Sequence, residues 1–129
     1  MWKILEQGGD WMPLETAITD KILKYLNKVP NCVAEKAMGN AFQKDKPDIE
    51  ACWEGRSVKI EVKSPDHGNK PTKGQELNLK KWAKAGALCV VVWSLEEVKN
   101  LIEHKGLYND SFTGWYFTED RKIIKGGHE

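Results

Sequence analysis

The chain has 129 residues, enough for one compact domain with a real core and too few for two. Hydrophobic residues make up 40% and charged residues 30%, which excludes a disordered chain, and the longest apolar run, "ALCVVVW" at 87 to 93, falls far short of the roughly 20 residues a membrane span needs. The formal net charge of +1 is unevenly spread: from Arg56 to Lys84 eight basic residues stand against three acids, which suits either a solvated, lysine-rich helix face or contacts to phosphate.

In chain order, "MWKILEQGGDW" lacks a signal peptide's apolar stretch, and a cytoplasmic location is expected. Pro13 followed by "LETAITDKILKYLNK" predicts a first helix with Leu14, Ile18, Ile22, Tyr25 and Leu26 as its apolar stripe. "NCVAEKA" at 31 to 37 reads as a strand, and "MGNAFQKDK" after it as a loop. "PDIEACW" and "RSVKIEVKS" flank Glu54 and Gly55, a glycine-containing pair suited to a tight hairpin. With those two residues as the whole loop, Trp53 faces Arg56 and Asp48 faces Glu61.

The loop "PDHGNKP" at 65 to 71 leads to a second helix over about 73 to 85, with Leu79, Trp82, Ala83 and Gly86 at helical spacing. The run from 87 to 93, apolar on both faces, is an interior strand joined to the hairpin by a crossover. Ser94 and Glu97 form a capping box for a third helix ending near Gly106. The remainder holds one aromatic strand-like stretch and a polar tail. Cys32, Cys52 and Cys89 are odd in number, far apart and set among apolar or strand-forming neighbours, so buried, reduced thiols are expected. His67, His104 and His128 lack the spacing of a zinc site.

The chemistry gathers on the hairpin. Alternation puts Val58, Ile60 and Val62 on one face and Lys59, Glu61 and Lys63 on the other. Asp48 opposite Glu61 sets two like charges side by side, a repulsion that a divalent cation relieves. Carboxylates, a main-chain carbonyl and water are ligands that magnesium or manganese accepts. Lys63 beside them suits orienting a water or stabilising charge on a phosphate.

Pro47-Asp48 followed by Glu61-Val62-Lys63 resembles the PD-(D/E)xK nuclease motif. The wider pattern of Glu15 in the first helix, "PDIEACWEG", "IEVKS", Gln75, "KAGALCVVVWS" and a further helix resembles the virus-type replication-repair nuclease family, VRR-NUC, over residues 12 to 103. That resemblance implies an α/β fold: a restriction-endonuclease-like core with a mixed β-sheet flanked by helices, ordered αβββαβα, in one domain over 1–129. It implies a catalytic set of Glu15, Asp48, Glu61, Lys63 and Gln75. It implies Mg2+ or Mn2+ held by Asp48, Glu61, Glu15 and the Val62 carbonyl. It also implies a phage or bacterial homodimer that cuts branched DNA such as four-way junctions. Many members carry a glycine shortly before the Pro-Asp, where this chain reads "FQKDKPD", so a differently shaped loop into Asp48 is expected.

Plainer roles exist for each residue. Glu15 suits the positive end of its helix, Gln75 makes a Thr-x-x-Gln capping box with Thr72, and Lys63 suits an ordinary ion pair. Pro65-Asp66 reads as a turn. Trp2, Trp11 and Trp115 suit core or dimer packing better than base stacking. Lys70, Lys73, Lys80, Lys81 and Lys84 suit phosphate contacts that position DNA without reading its sequence. The alternative to a nuclease is a catalytically silent DNA-binding or assembly module with the same fold.

Overall fold

The computed structural model describes residues 4–7, 10–37, 44–66 and 69–128. They form, in order, β1 (Ile4–Gln7), β2 (Asp10–Pro13), α1 (Leu14–Leu26), β3 (Cys32–Lys36), β4 (Ile49–Trp53), β5 (Arg56–Val62), α2 (Lys73–Lys84), β6 (Leu88–Val92), α3 (Leu95–Glu103), β7 (Trp115–Phe117) and β8 (Ile123–Lys125). A six-stranded sheet runs β3-β4-β5-β6-β7-β8 in sequence order, while β1 and β2 pair separately. Only β5 and β6 are parallel, which requires the crossover that α2 supplies.

Each face of this sheet has its own core. Ile22 and Leu26 of α1 and Val98 and Leu101 of α3 pack on Ile49, Trp53, Val58, Ile60, Val62, Val90 and Val92. On the other face Leu79 and Ala83 of α2 pack on Cys89, Val91, Trp93, Trp115 and Phe117. All five residues of β6 are buried, as a strand covered on both faces demands. The edge strand β3 is partly shielded, because the Asn27 side chain donates to the Ala34 carbonyl (3.0 Å) and accepts from its N–H (2.9 Å).

The hairpin register is the expected one. Trp53 pairs with Arg56 and Ile49 with Ile60, and Glu54 and Gly55 both take positive φ (51° and 82°), as a two-residue primed turn requires. The first-helix stripe is also found, with Ile22 and Leu26 buried and Ile18 and Tyr25 packed beside them.

The order αβββαβα holds from α1 to α3 and is extended at both ends. The hairpin β1–β2 precedes it; Gly8-Gly9, its turn signal in sequence, lie outside the described residues. The polar tail holds β8, three residues paired to β7 across a turn without glycine, in which Arg121 takes φ 67°. Cys52 is exposed rather than buried, because it points to the α2 side of the sheet on β4, beyond the β6–β7 region that α2 covers. Cys32 and Cys89 are buried free thiols. Trp82 is half exposed at the edge of α2, with the Lys59 ammonium 4.1 Å from its ring centre. Trp115 is a core residue, 2% accessible, whereas Trp2, the side chain of Trp11 and His67 lie outside the described residues. No described helix is long and apolar enough to cross a membrane.

Candidate active site

The site sits where β5 leaves the sheet. Ile49 opposite Ile60 places Asp48 beside Glu61, one step beyond the ladder. The Val62 N–H therefore finds no strand partner there and donates to Asp48 Oδ2 at 2.8 Å. The N–H and C=O of one strand residue leave by the same edge, so the Val62 carbonyl lies on the Asp48 side. The next residue turns the other way: the Lys63 N–H donates to the Val92 carbonyl at 2.9 Å, extending the parallel pairing with β6.

Glu61 is 3% accessible, an unusual place for a carboxylate. Its Oε2 lies 3.3 Å from Lys63 Nζ and accepts from Gln75 Nε2 at 3.2 Å. Burial first, and then the Asp48 charge and a hydrogen bond with Asp48, push the Glu61 pKa up to about 8, although Lys63 pulls it down. Glu61 thus keeps its proton at neutral pH in the absence of a cation, beside Asp48.

Gln75 has two jobs. Its backbone N–H donates to Thr72 Oγ1 (3.1 Å) and its Oε1 accepts from the Thr72 N–H (2.9 Å), the reciprocal capping box read from the sequence. The Nε2 of the same amide reaches Glu61. Capping fixes the rotamer that delivers the amide to the site.

The loop into Asp48 has an unforeseen anchor. Asp45 takes φ 70°, the left-handed conformation that a glycine adopts freely, just ahead of Pro47-Asp48. Its carboxylate packs against Gly74 in the first turn of α2, where a Cβ would come within 2.4 Å of Asp45 Oδ2. Gly74 is the space that lets the Asp48 loop rest on the helix carrying Gln75.

A buried polar network lies beside the segment ahead of α2. Glu97, 5% accessible, accepts from the Trp93 N–H (2.6 Å) and the Thr113 hydroxyl (2.6 Å), and lies 3.1 Å from His128 Nε2. Ser94 caps α3 as expected, but the Glu97 side chain reaches Trp93 rather than Ser94. Trp93 stacks on His128 and donates from Nε1 to the Asn69 carbonyl (3.0 Å), pinning the segment ahead of α2. Little in the sequence marks this network beyond Glu97 following the apolar β6. Pro65-Asp66 is a turn, closed by Asp66 N–H to Ser64 Oγ and Asn69 N–H to the Asp66 carbonyl.

Asp48, Glu61, Lys63, Gln75 and Val62 therefore come together. Glu15 stays in the first turn of α1, half-buried, its carbonyl accepting from Thr19 Oγ1 (2.8 Å). Among the described residues no group of three or more His, Cys, Asp or Glu side chains stands close enough to hold a metal ion, so Glu15 makes no three-carboxylate cluster with Asp48 and Glu61. Of the lysines, Lys73 pairs loosely with Glu76 (3.7 Å), and Lys80, Lys81 and Lys84 follow along α2, with Lys70 in the segment before it.

No family model matches the sequence, and no curated protein does. A solved structure titled "VRR_NUC domain" is similar to the chain with a TM-score of 0.60 at 24% identity, covering 70% of this chain and 96% of that one. The chain has the fold of a VRR_NUC domain.

Proposed function

We propose that the protein is a divalent-metal-dependent DNA endonuclease of the VRR-NUC type, selective for branched DNA. The observation that carries this reading is Glu61: a buried carboxylate set against Asp48, with Lys63 and Gln75 both on its Oε2, at the end of the sheet. Structural economy alone would place an apolar residue or serine there.

The donor set fits Mg2+ or Mn2+. Asp48, Glu61 and the Val62 carbonyl would hold the ion, and the proton held by Glu61 would leave as it binds. Magnesium keeps several waters when bound, so such a site needs no third carboxylate, and among the described residues Glu15 does not supply one. Bound there, such an ion would polarise the scissile phosphate and lower the pKa of a water. The chain's own residues do the rest. Asp48 is oriented by the Val62 N–H, and Gln75 holds Glu61 Oε2. Lys63, beside Glu61, would orient the attacking water and stabilise charge as it develops on the phosphate.

Lys70, Lys73, Lys80, Lys81 and Lys84 would grip backbone without reading bases, so selectivity rests on DNA shape. One site reaches one strand; a homodimer with two-fold symmetry would make two symmetrical cuts across a four-way junction. The test is a panel of linear, flap, splayed and four-way DNAs of common sequence, with light scattering at the same concentration. Faster junction cleavage by a dimer is expected. A monomer that cuts all substrates equally would remove the branch selectivity, and no cleavage of any substrate in manganese would favour the silent binding module.

A further inference from the structure

The outward face of α2 continues past the lysines read from sequence. Lys73, Leu77, Lys80, Lys81 and Lys84 recur at three- and four-residue spacing and share one face. The turn between β7 and β8 closes against the middle of it: Leu77, Lys80, Lys81 and Arg121 line a groove of about 140 Å3.

Arg121 is held there by an ordered turn. Its N–H donates to the Thr118 carbonyl (3.0 Å), the Thr118 N–H to the Lys122 carbonyl (2.9 Å) and the Lys122 N–H to Thr118 Oγ1 (3.1 Å). The backbone at Arg121 takes φ 67°, a conformation an arginine adopts only at some cost. The nearby acids are engaged: Asp120 accepts from the Thr118 hydroxyl and pairs with Lys122, and Glu76 pairs with Lys73. Glu119 is exposed on the same turn. Lys80, Lys81 and Arg121 make no ion pair among the described residues.

We propose that this groove is a phosphate-binding subsite that holds the backbone of one duplex DNA arm along α2, with Arg121 as a DNA contact. The inference rests on the nuclease reading and adds to it a residue from outside the αβββαβα core. Three cations gathered around one exposed leucine complement a sugar-phosphate backbone: the guanidinium forks onto phosphate oxygens, and Leu77 gives the sugar an apolar surface. Lys80 lies five residues and Lys84 nine residues beyond Gln75, about 7 to 14 Å along the helix axis, or about two to four base-pair steps from the phosphate at Glu61. The groove therefore steers the arm rather than the cut.

The experiment measures affinity of the full chain for a labelled four-way junction in calcium, by fluorescence anisotropy, across a salt series. Each lost phosphate contact lowers the slope of log affinity against log salt by about 0.9. Arg121→Gln and Lys81→Gln are each expected to show that drop and several-fold weaker binding at low salt, with Arg121→Lys recovering most of the slope. Lys99→Gln on α3, on the opposite face of the sheet, makes the same charge change and is expected to keep the wild-type slope. Melting curves identify a variant that fails to fold, and Lys81→Gln, which leaves the turn intact, then carries the test. Wild-type slopes in Arg121→Gln and Lys81→Gln, or drops matched by Lys99→Gln, overturn the subsite while leaving the nuclease reading in place. Wild-type protein that binds no DNA overturns both.

Discussion

Lys63 Nζ stands 3.3 Å from Glu61 Oε2, two residues back on the same face of β5, and the side chains are only 14% and 4% accessible. An exposed pair of this kind would contribute little, but here both groups are largely out of water, and removing either strands the other. Lysine alone does not settle the charge on Glu61, because burial and Asp48 outweigh it. Burial beside a second carboxylate leaves the charged form of Glu61 poorly supported, a repulsion that the proposed divalent cation would relieve.

The pH dependence of stability follows. An unfolded glutamate titrates at about 4.5 and Glu61 in the folded protein at about 8, so between these values the folded state binds the extra proton. Stability in EDTA is expected to fall as pH rises from about 5 to 8 and then to level off. Glu61→Gln should flatten that trend, seen as a melting-temperature difference between wild type and variant that changes by several degrees across the range. A constant difference would mean that Glu61 is charged throughout.

Thr72 and Gln75 separate capping from chemistry. Thr72→Ala removes the hydroxyl that accepts from the Gln75 N–H and is expected to cost about 1 kcal/mol in denaturant unfolding, with cleavage retained. Gln75→Ala loses the reciprocal bond and the contact to Glu61, so it should lower the cleavage rate by tenfold or more at a similar stability cost. Equal rates in the two variants would confine Gln75 to the cap.

Gly74→Ala tests the anchor of the Asp48 loop. The new methyl would collide with the Asp45 carboxylate, which must swing away and lose its seat against α2, and weaker metal affinity with slower cleavage is expected although neither residue is a proposed ligand. Adding Asp45→Gly removes the obstruction and keeps the left-handed bend, so the double variant should recover most of the loss. No recovery would show that Gly74 matters for the helix rather than the loop.

The central hairpin was legible because three signals agreed: alternation on β5, a glycine turn of two residues, and Pro-Asp at the reach of Glu61. The register then placed the site without tertiary information. Asp45 was not legible, because its left-handed backbone has no glycine to announce it and its partner Gly74 lies 29 positions on. The β8 strand was hidden for a like reason, since Arg121 makes the turn where a glycine would have marked it. Exposure of Cys52 depended on how far α2 extends across the sheet, which helical spacing does not reveal. The spacing of Trp82 suggested a core position, yet its ring covers Lys59 at the edge. Glu15 matched a motif position, but motif order carries no distance, and it does not join the two carboxylates.

The most direct test is a manganese titration that follows melting temperature and DNA cleavage in parallel for wild type, Asp48→Ala and Lys63→Ala. Wild type should gain stability and cut with the same midpoint; Asp48→Ala should do neither. Lys63→Ala should keep most of the manganese-dependent stabilisation while cleavage falls by a hundredfold or more. Wild-type protein whose melting curve and DNA substrate are both unchanged at saturating manganese, or a Lys63→Ala variant that cuts at the wild-type rate, would contradict the account.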